Sequence, residues 1–197
     1  MNVIGLTGSI GMGKSTTADL FRRSGVPVHD SDSAVHRLYN SPRAIEIEAM
    51  FPGVVENGRV NRARLAQRVL GDSVKLEKLQ NFIHPLVGED REEFLHAARN
   101  RGDGIVVLDI PLLFETGGVG TVDVVVVVSA PEHVQKSRVL ARPGMTEEKF
   151  AAILAKQMPD AAKRRSCHFL VDTGHGIDRS EGEVKALLKA LEFRNNW

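Results

Sequence analysis

One cysteine, Cys167, is present among the 197 residues, which excludes an intramolecular disulfide and any metal site built from several cysteines. Such sparing use of cysteine is typical of a reducing, cytoplasmic environment. No run of 18 apolar residues occurs, so we expect no transmembrane helix. The first residues carry no basic segment or cleavage pattern, so we expect no signal peptide.

Neither sign of charge is in excess, because 26 Lys and Arg stand against 25 Asp and Glu. This balance argues against binding nucleic acid by bulk electrostatics, and we expect neither a nucleic-acid nor a membrane partner. Hydrophobic residues, at 42%, suffice for a core. Composition therefore predicts one globular domain and leaves function to local motifs. We expect a monomer or weak homo-oligomer.

Short apolar runs alternate with helical periodicity along most of the chain. Five consecutive valines lie within 122–128, and such a run is typical of a parallel strand covered by helices on both faces. Residues 31–103 instead show amphipathic helical spacing without a strong strand. We predict a three-layer α/β fold with a core (1–30, 104–137, 166–197), a helical insertion (31–103) and a short helical lid (138–165).

Residues 8–15 read GSIGMGKS and match the phosphate-loop (P-loop) pattern G-x-x-x-x-G-K-[ST] between a predicted strand and a predicted helix. The glycines let backbone N–H groups surround a phosphate, and the helix directs its positive end there. Lys14 is placed to reach the β- and γ-phosphates, and Ser15 to bind Mg²⁺. We predict a nucleoside triphosphate site formed by Gly8, Gly11, Met12, Gly13, Lys14, Ser15 and Thr16.

A bound triphosphate is compatible with a kinase, a GTPase or an ATP-driven motor. The chain contains no Asn-Lys pair, and a GTPase normally carries N-K-x-D to recognise guanine. A motor subunit usually needs a longer chain. A small α/β core with an inserted helical piece suits a small-molecule kinase, whose inserted segments hold the acceptor and close over the phosphates.

Three aspartates follow predicted strands, where ligands of parallel sheets bind. Asp30 or Asp32 can orient an acceptor hydroxyl and take its proton, although Asp32 can equally cap a helix over 33–39. Asp109 can hold Mg²⁺ in the manner of a Walker B aspartate, or simply form a turn before Pro111.

Arg138 and Arg142 lie at the end of the predicted helix 132–141 and ahead of a Pro-Gly break. Arginines there can neutralise charge on a transferred phosphoryl group when the helical hairpin closes. The alternative is a pair of solvated surface arginines.

Several motifs occur in the order typical of dephospho-CoA kinases, and together they resemble that family over residues 2–193. The motifs are 4–16 with the phosphate loop, Asp30-Ser31-Asp32, Ile83-His84-Pro85, Pro111-Leu112-Leu113-Phe114-Glu115, 146–158 and 163–172. The resemblance implies a P-loop NTPase core and phosphoryl transfer from ATP, with Mg²⁺, to the ribose 3′-hydroxyl of dephospho-CoA. The open alternatives are a kinase for another small acceptor and a nucleotide-binding regulator without catalysis.

The resemblance also implies roles for particular side chains. Asp32 is the expected base, and Arg142 would approach the triphosphate, with Arg138 beside it. For His84 the alternative is a helix-breaking His-Pro turn, and for Glu115 a surface carboxylate. The expected acceptor-binding residues are Asp30, Asp32, His84, Pro111, Leu112 and Glu115.

The chain departs from the family pattern at Ser9 and Met12, where the loop binds through its backbone, and in two later segments. Cys167-His168 stands where the family has Ala-Asp, and Thr173 stands where it has Asn. We expect both later departures near the adenine of ATP. Cys167 itself is interpreted as a small buried residue rather than a nucleophile.

Overall fold

The computed structural model describes residues 1–195, so Trp197, to which the sequence assigns no role, lies outside it. The chain divides into two compact units, one formed by Met1–His29 with the chain from Ala98 onward and the other by Asp30–Ala97. Within residues 1–195, no helix has both the length and the apolar content that a membrane span requires.

The helices and strands alternate in the way the apolar runs predict. A short 3-10 helix covers Gly118–Thr121. In chain order the other elements are β1 (Asn2–Thr7), α1 (Lys14–Arg23), β2 (Val28–Asp30), α2 (Ser31–Tyr39), α3 (Ala44–Met50), β3 (Val55–Glu56), β4 (Arg59–Val60), α4 (Arg62–Val69), α5 (Ser73–Arg101), β5 (Ile105–Asp109), β6 (Val124–Ser129), α6 (Glu132–Leu140), α7 (Glu147–Leu154), α8 (Asp160–Arg165), β7 (Phe169–Asp172) and α9 (Ile177–Asn195).

The first unit is built on a five-stranded sheet in the order β2-β5-β1-β6-β7. Strand β1 pairs in parallel with β5 and β6, and β6 pairs in parallel with β7. Successive side chains of β6 lie on opposite faces of the sheet. Val126 packs in a cluster with Phe21 of α1 and Leu191 of α9. Val127 packs in a second cluster with Leu113. Both faces of the sheet are therefore buried, which confirms the three-layer α/β prediction.

The second unit encloses its own apolar core, in which Ile47, Phe51, Val54 and Leu65 are all buried. The sequence predicts no strong strand in this region, but β3 and β4 form an antiparallel hairpin. The missed signal is Asn57-Gly58, whose φ angles of 52° and 75° are those of a type I′ turn.

The segment after α6 also differs from its prediction. The sequence predicts a helix that begins at Thr146 and runs to about Met158, whereas α7 ends at Leu154 and a further helix, α8, begins after Pro159. Proline cannot continue a helix by donating its N–H, but its fixed φ favours starting one. Pro159 therefore precedes a second helix that lies beyond the expected one.

Candidate active site

The phosphate loop, residues 8–13, connects the end of β1 to α1 through conformations that only glycine tolerates. Gly11 and Gly13 have φ angles of 79° and 89°. At Gly8, a Cβ atom would lie 2.4 Å from Val128 Cγ2 and 2.8 Å from the Val128 carbonyl oxygen. The loop is therefore folded tightly against β6, and the first N–H groups of α1 remain available to an anion.

Lys14, the first residue of α1, forms an ion pair with Asp109 at the end of β5. The aspartate side chain is only 3% exposed and the lysine side chain 16%. Parallel pairing of β1 with β5 places Asp109 opposite Leu6, one residue before the last residue of β1. The structure thus brings Asp109 to the phosphate loop, while its role as a metal ligand stays a prediction. Ser15 and Thr16 follow on α1 and are exposed.

Two glutamines that the sequence did not single out hold the loop at Ile10, one on each side of its Cα atom. The Ile10 N–H donates to Gln157 Oε1 at 3.1 Å, and the Ile10 carbonyl accepts from Gln135 Nε2 at 2.7 Å. Gln135 lies on α6 and is buried, whereas Gln157 follows α7. The loop is therefore fastened by side chains that precede and follow the Pro-Gly break.

The Arg138 guanidinium forms two hydrogen bonds with Thr173. Its Nη1 donates to Thr173 Oγ1 at 2.9 Å, and its Nη2 donates to the Thr173 carbonyl at 2.7 Å. The Thr173 hydroxyl in turn donates to the Met12 carbonyl at 2.7 Å. Arg138 and Arg142 are both exposed, as expected of surface arginines, but the Arg138 guanidinium is held by its two hydrogen bonds to Thr173.

The two later departures from the family pattern lie at opposite ends of β7. Thr173 follows the carboxyl end of the strand and contacts the phosphate loop through Met12. His168 precedes the strand, and its Nδ1 accepts a hydrogen bond of 2.9 Å from the Val125 N–H near the amino end of β6. Cys167 is half-buried, and burial raises the pKa of its thiol, which disfavours a nucleophilic thiolate. The expectation that both departures lie beside the adenine stays a prediction.

Glu115 fastens the loop after β5 to the region around α8. Its Oε1 lies 2.8 Å from the ammonium of Lys163, whose side chain is fully buried, and also accepts a 2.8 Å hydrogen bond from the Met158 N–H. Burial alone would raise the pKa of Glu115, but the hydrogen bonds from Lys163 and Met158 outweigh it and leave the pKa below its ordinary value. Glu115 is therefore no surface loop carboxylate, and its role toward the acceptor stays a prediction.

Replacing Glu115 with glutamine is expected to lower the free energy of unfolding by about 3 kcal/mol, because a buried lysine would lose its counter-charge. Urea denaturation measures the change. The pKa of Glu115 is depressed in the folded state, so its contribution is present above the unfolded pKa and is lost as pH falls through the folded one. The variant should accordingly lose less stability on acidification.

The matched control for this prediction is the double variant Glu115→Gln with Lys163→Met, which removes both charges. It should recover part of the lost stability, because no uncompensated buried charge remains. An unchanged urea midpoint in the single variant would show that the ion pair contributes nothing.

Asp30, rather than Asp32, caps the helix that follows β2. Helix α2 begins at Ser31, and the Asp30 carboxylate accepts a 2.9 Å hydrogen bond from the Ser33 N–H. The prediction that Asp32 caps a helix over 33–39 is therefore wrong. Asp32 lies in the first turn and is exposed, and its carboxylate has no hydrogen bond or ion pair with the other residues that the structure describes.

The remaining predicted acceptor residues lie in both units. His84 is exposed on α5, which continues through Pro85 without a break, so the interpretation as a helix-breaking turn is wrong. The Pro111 carbonyl accepts a 3.1 Å hydrogen bond from the Thr7 hydroxyl, and Leu112 is 40% exposed. An exposed leucine beside the strand ends is consistent with the predicted acceptor contact, which stays a prediction.

Comparison with known proteins agrees with this site. A family model described as dephospho-CoA kinase matches residues 2–178. The dephospho-CoA kinase of Mesorhizobium japonicum is 61% identical over 191 residues, 97% of each chain. The crystal structure of TT1252 from Thermus thermophilus superposes with a TM-score of 0.82 at 35% identity, covering 96% of this chain and 97% of that one.

A dephospho-CoA kinase from Campylobacter jejuni shares the fold, with a TM-score of 0.69 at 20% identity over 96% of this chain and 97% of that one. The family model and the Mesorhizobium relative both extend over the phosphate loop, Asp32, Glu115 and Thr173. On the strength of these matches over nearly its full length, the chain belongs to the dephospho-CoA kinase family.

Proposed function

We infer that this chain transfers the γ-phosphoryl group of ATP to the ribose 3′-hydroxyl of dephospho-CoA, giving CoA and ADP in the final step of CoA biosynthesis. The observation that carries the inference is the family match over residues 2–178, which includes a complete phosphate loop. The conformations at Gly11 and Gly13 and the contact at Gly8 support the same conclusion, because they are those of a loop built around a phosphate.

The phosphate loop is proposed to bind the triphosphate. Backbone N–H groups of the loop and the N-terminus of α1 would contact the phosphates, and the loop residues involved are Gly8, Gly11, Met12 and Gly13. Lys14 would exchange its carboxylate partner, Asp109, for oxygens of the β- and γ-phosphates. Its ammonium then stabilises the negative charge that spreads over the phosphoryl group in transit. Ser15 and Thr16, exposed at the start of α1, complete the phosphate and metal side of the site.

Asp32 is assigned the role of general base. The acceptor oxygen attacks the γ-phosphorus while its proton passes to the Asp32 carboxylate, and the bond from phosphorus to the bridging oxygen breaks to release ADP. The Asp32 carboxylate is exposed and has no hydrogen bond to another described residue. It is suited to this task, because it can accept the proton without breaking a hydrogen bond of the fold.

Arg138 and Arg142 are proposed to stabilise the negative charge that develops during phosphoryl transfer. Arg142 stands just beyond α6 and is exposed, so it can approach the triphosphate when residues 138–165 close. Arg138 is already held by two hydrogen bonds to Thr173 and would support the nucleotide from a fixed position.

The residues present fit Mg²⁺, which prefers oxygen ligands and usually retains several waters beside one or two protein groups and the substrate phosphates. Ser15 offers an exposed hydroxyl, and Asp109 a carboxylate at the end of β5. Among the described residues no cluster of three or more His, Cys, Asp or Glu forms a metal cage, which agrees with a metal that arrives with ATP. When bound, Mg²⁺ neutralises charge on the β- and γ-phosphates.

Acceptor-binding residues are proposed for each unit by itself, in the helical unit Asp30–Ala97 and in the loop that follows β5. Asp30 and His84 from the helical unit and Glu115 from the loop provide polar groups, while Pro111 and Leu112 provide apolar surface. We also propose that the enzyme works in the cytoplasm as a monomer or weak homo-oligomer, since a balanced charge gives it no general attraction to membranes or nucleic acid.

The test is incubation of the purified protein with ATP, Mg²⁺ and dephospho-CoA, with CoA detected by mass spectrometry. We expect a product heavier by one phosphate group and an equal amount of ADP. ADP release with another nucleoside, nucleotide or sugar, but not with dephospho-CoA, would change the acceptor. ATP binding without acceptor-dependent ADP release would indicate a regulator instead.

A further inference from the structure

Thr173 stands at a junction between the phosphate loop, β6 and α6. Its side chain is nearly buried, with the residue 7% exposed, and its hydroxyl lies 2.7 Å from the Met12 carbonyl and 2.9 Å from Arg138 Nη1. The Thr173 N–H donates to the Ser129 carbonyl at 2.9 Å. The residue that departs from the family pattern is therefore fixed by its backbone and makes two contacts with its side chain.

The hydrogen-bonding capacity of a hydroxyl accounts for both side-chain contacts. A hydroxyl donates one hydrogen and accepts through its lone pairs. The hydrogen goes to the Met12 carbonyl at 2.7 Å rather than to the more distant Ser129 carbonyl at 3.4 Å, which leaves the lone pairs for Arg138. One oxygen atom thus links a loop carbonyl to a guanidinium.

The second guanidinium nitrogen, Nη2, is held by the Thr173 carbonyl at 2.7 Å. This two-point attachment uses the forked geometry of arginine and fixes the plane of the guanidinium. On the other side of Thr173, a Cβ atom at Gly13 would lie 2.9 Å from Oγ1 and 3.1 Å from Cγ2. Thr173 therefore packs directly against the last glycine of the loop.

We propose that Thr173 is a positioning residue of the nucleotide site, whose hydroxyl sets the Met12 peptide and the Arg138 guanidinium in one arrangement before ATP binds. Preorganised groups bind a ligand more tightly because less ordering remains to be done. The proposal rests on the proposed function in that ATP is the nucleotide. It adds that, in this chain, a threonine hydroxyl fixes the positions of the Met12 carbonyl and of the Arg138 guanidinium.

The test compares Thr173→Val, which keeps the shape and removes the hydroxyl, with Thr173→Ser, which keeps the hydroxyl. Calorimetric titration with a non-hydrolysable ATP analogue and Mg²⁺ gives affinity without any acceptor. We expect the valine variant to bind about 10-fold more weakly, because a carbonyl and a guanidinium lose their partner. The serine variant should stay within about 3-fold of the unmodified protein.

Steady-state kinetics separate positioning from a general structural role. The valine variant should raise KM for ATP by about the same factor as it weakens binding, with a smaller change in KM for the acceptor. In a background of Arg138→Met, the valine substitution should weaken ATP binding by clearly less than 10-fold, since part of its effect acts through the arginine. Thr173→Ala, which adds no methyl group, replaces the valine variant if that protein does not fold.

The proposal is overturned if the valine or alanine variant binds the analogue as tightly as the unmodified protein does. It is equally overturned if the serine variant is as weak as the valine variant, because the hydroxyl would then be irrelevant. Failure of the proposed function is a separate result, since it would appear as absence of CoA from the unmodified protein while nucleotide binding is still measured.

Discussion

Replacing Asp32 with asparagine is expected to lower kcat by about 100-fold or more, while ATP binding persists. Asparagine has nearly the same size but cannot accept the proton of the attacking hydroxyl. The helix should not suffer, because the cap of α2 is Asp30, which bonds the Ser33 N–H, and Asp32 is exposed. Rapid-quench or coupled assays give kcat, and nucleotide titration gives affinity.

The matched control is Asp30→Asn. Asparagine caps helices about as well as aspartate, so this variant should keep its helix cap, and any loss should appear in KM for the acceptor, to which Asp30 is assigned, rather than in kcat. Near-normal turnover in Asp32→Asn together with a large loss in Asp30→Asn would assign the base to Asp30. Near-normal turnover in both variants would remove general-base catalysis by either carboxylate.

Replacing Lys14 with methionine is expected to lower kcat/KM by roughly 100- to 1,000-fold, because the ammonium stabilises charge on the transferred group. The same change has a second effect that the structure alone reveals. Asp109 would lose its ion-pair partner while its side chain is 3% exposed, which should cost about 2 to 3 kcal/mol of unfolding free energy. Enzyme kinetics and urea denaturation measure the two losses separately.

The double variant Lys14→Met with Asp109→Asn separates these two effects. It should recover part of the stability, since the uncompensated carboxylate is gone, but none of the activity. A single variant that keeps activity within about 10-fold would exclude Lys14 from the role of phosphate-loop lysine. A single variant as stable as the unmodified protein would show that the ion pair is energetically neutral.

The parts of the fold that the sequence predicted are those with strong local signals. The valines of β6 and the glycines of the phosphate loop dictate their conformations within a few residues. The wrong predictions have two causes: a proline was assumed to break a helix, and a turn signal was missed. Pro85 is tolerated within α5, whereas Asn57-Gly58 carried a hairpin signal that strong helical periodicity on either side concealed.

The same distinction between local and long-range signals holds for the candidate site. The motif at 8–15 predicted the loop, but its supports come from far along the chain, with Gln135 and Gln157 lying 125 and 147 residues from Ile10. Lys163 is a charged residue in a basic stretch, which would ordinarily be placed at the surface. Only the tertiary structure brings it to Glu115, and a single sequence carries no signal for such a pairing.

The hydrogen bond between Ile10 and Gln157 has a kinetic consequence. The Ile10 amide is held by a side-chain oxygen of the segment after α7, not by the sheet or by a helix of its own. A backbone amide exchanges with deuterium when its hydrogen bond opens. The exchange rate at this one proton should therefore report how readily that segment leaves the phosphate loop, and the measurement requires neither an attached probe nor the acceptor.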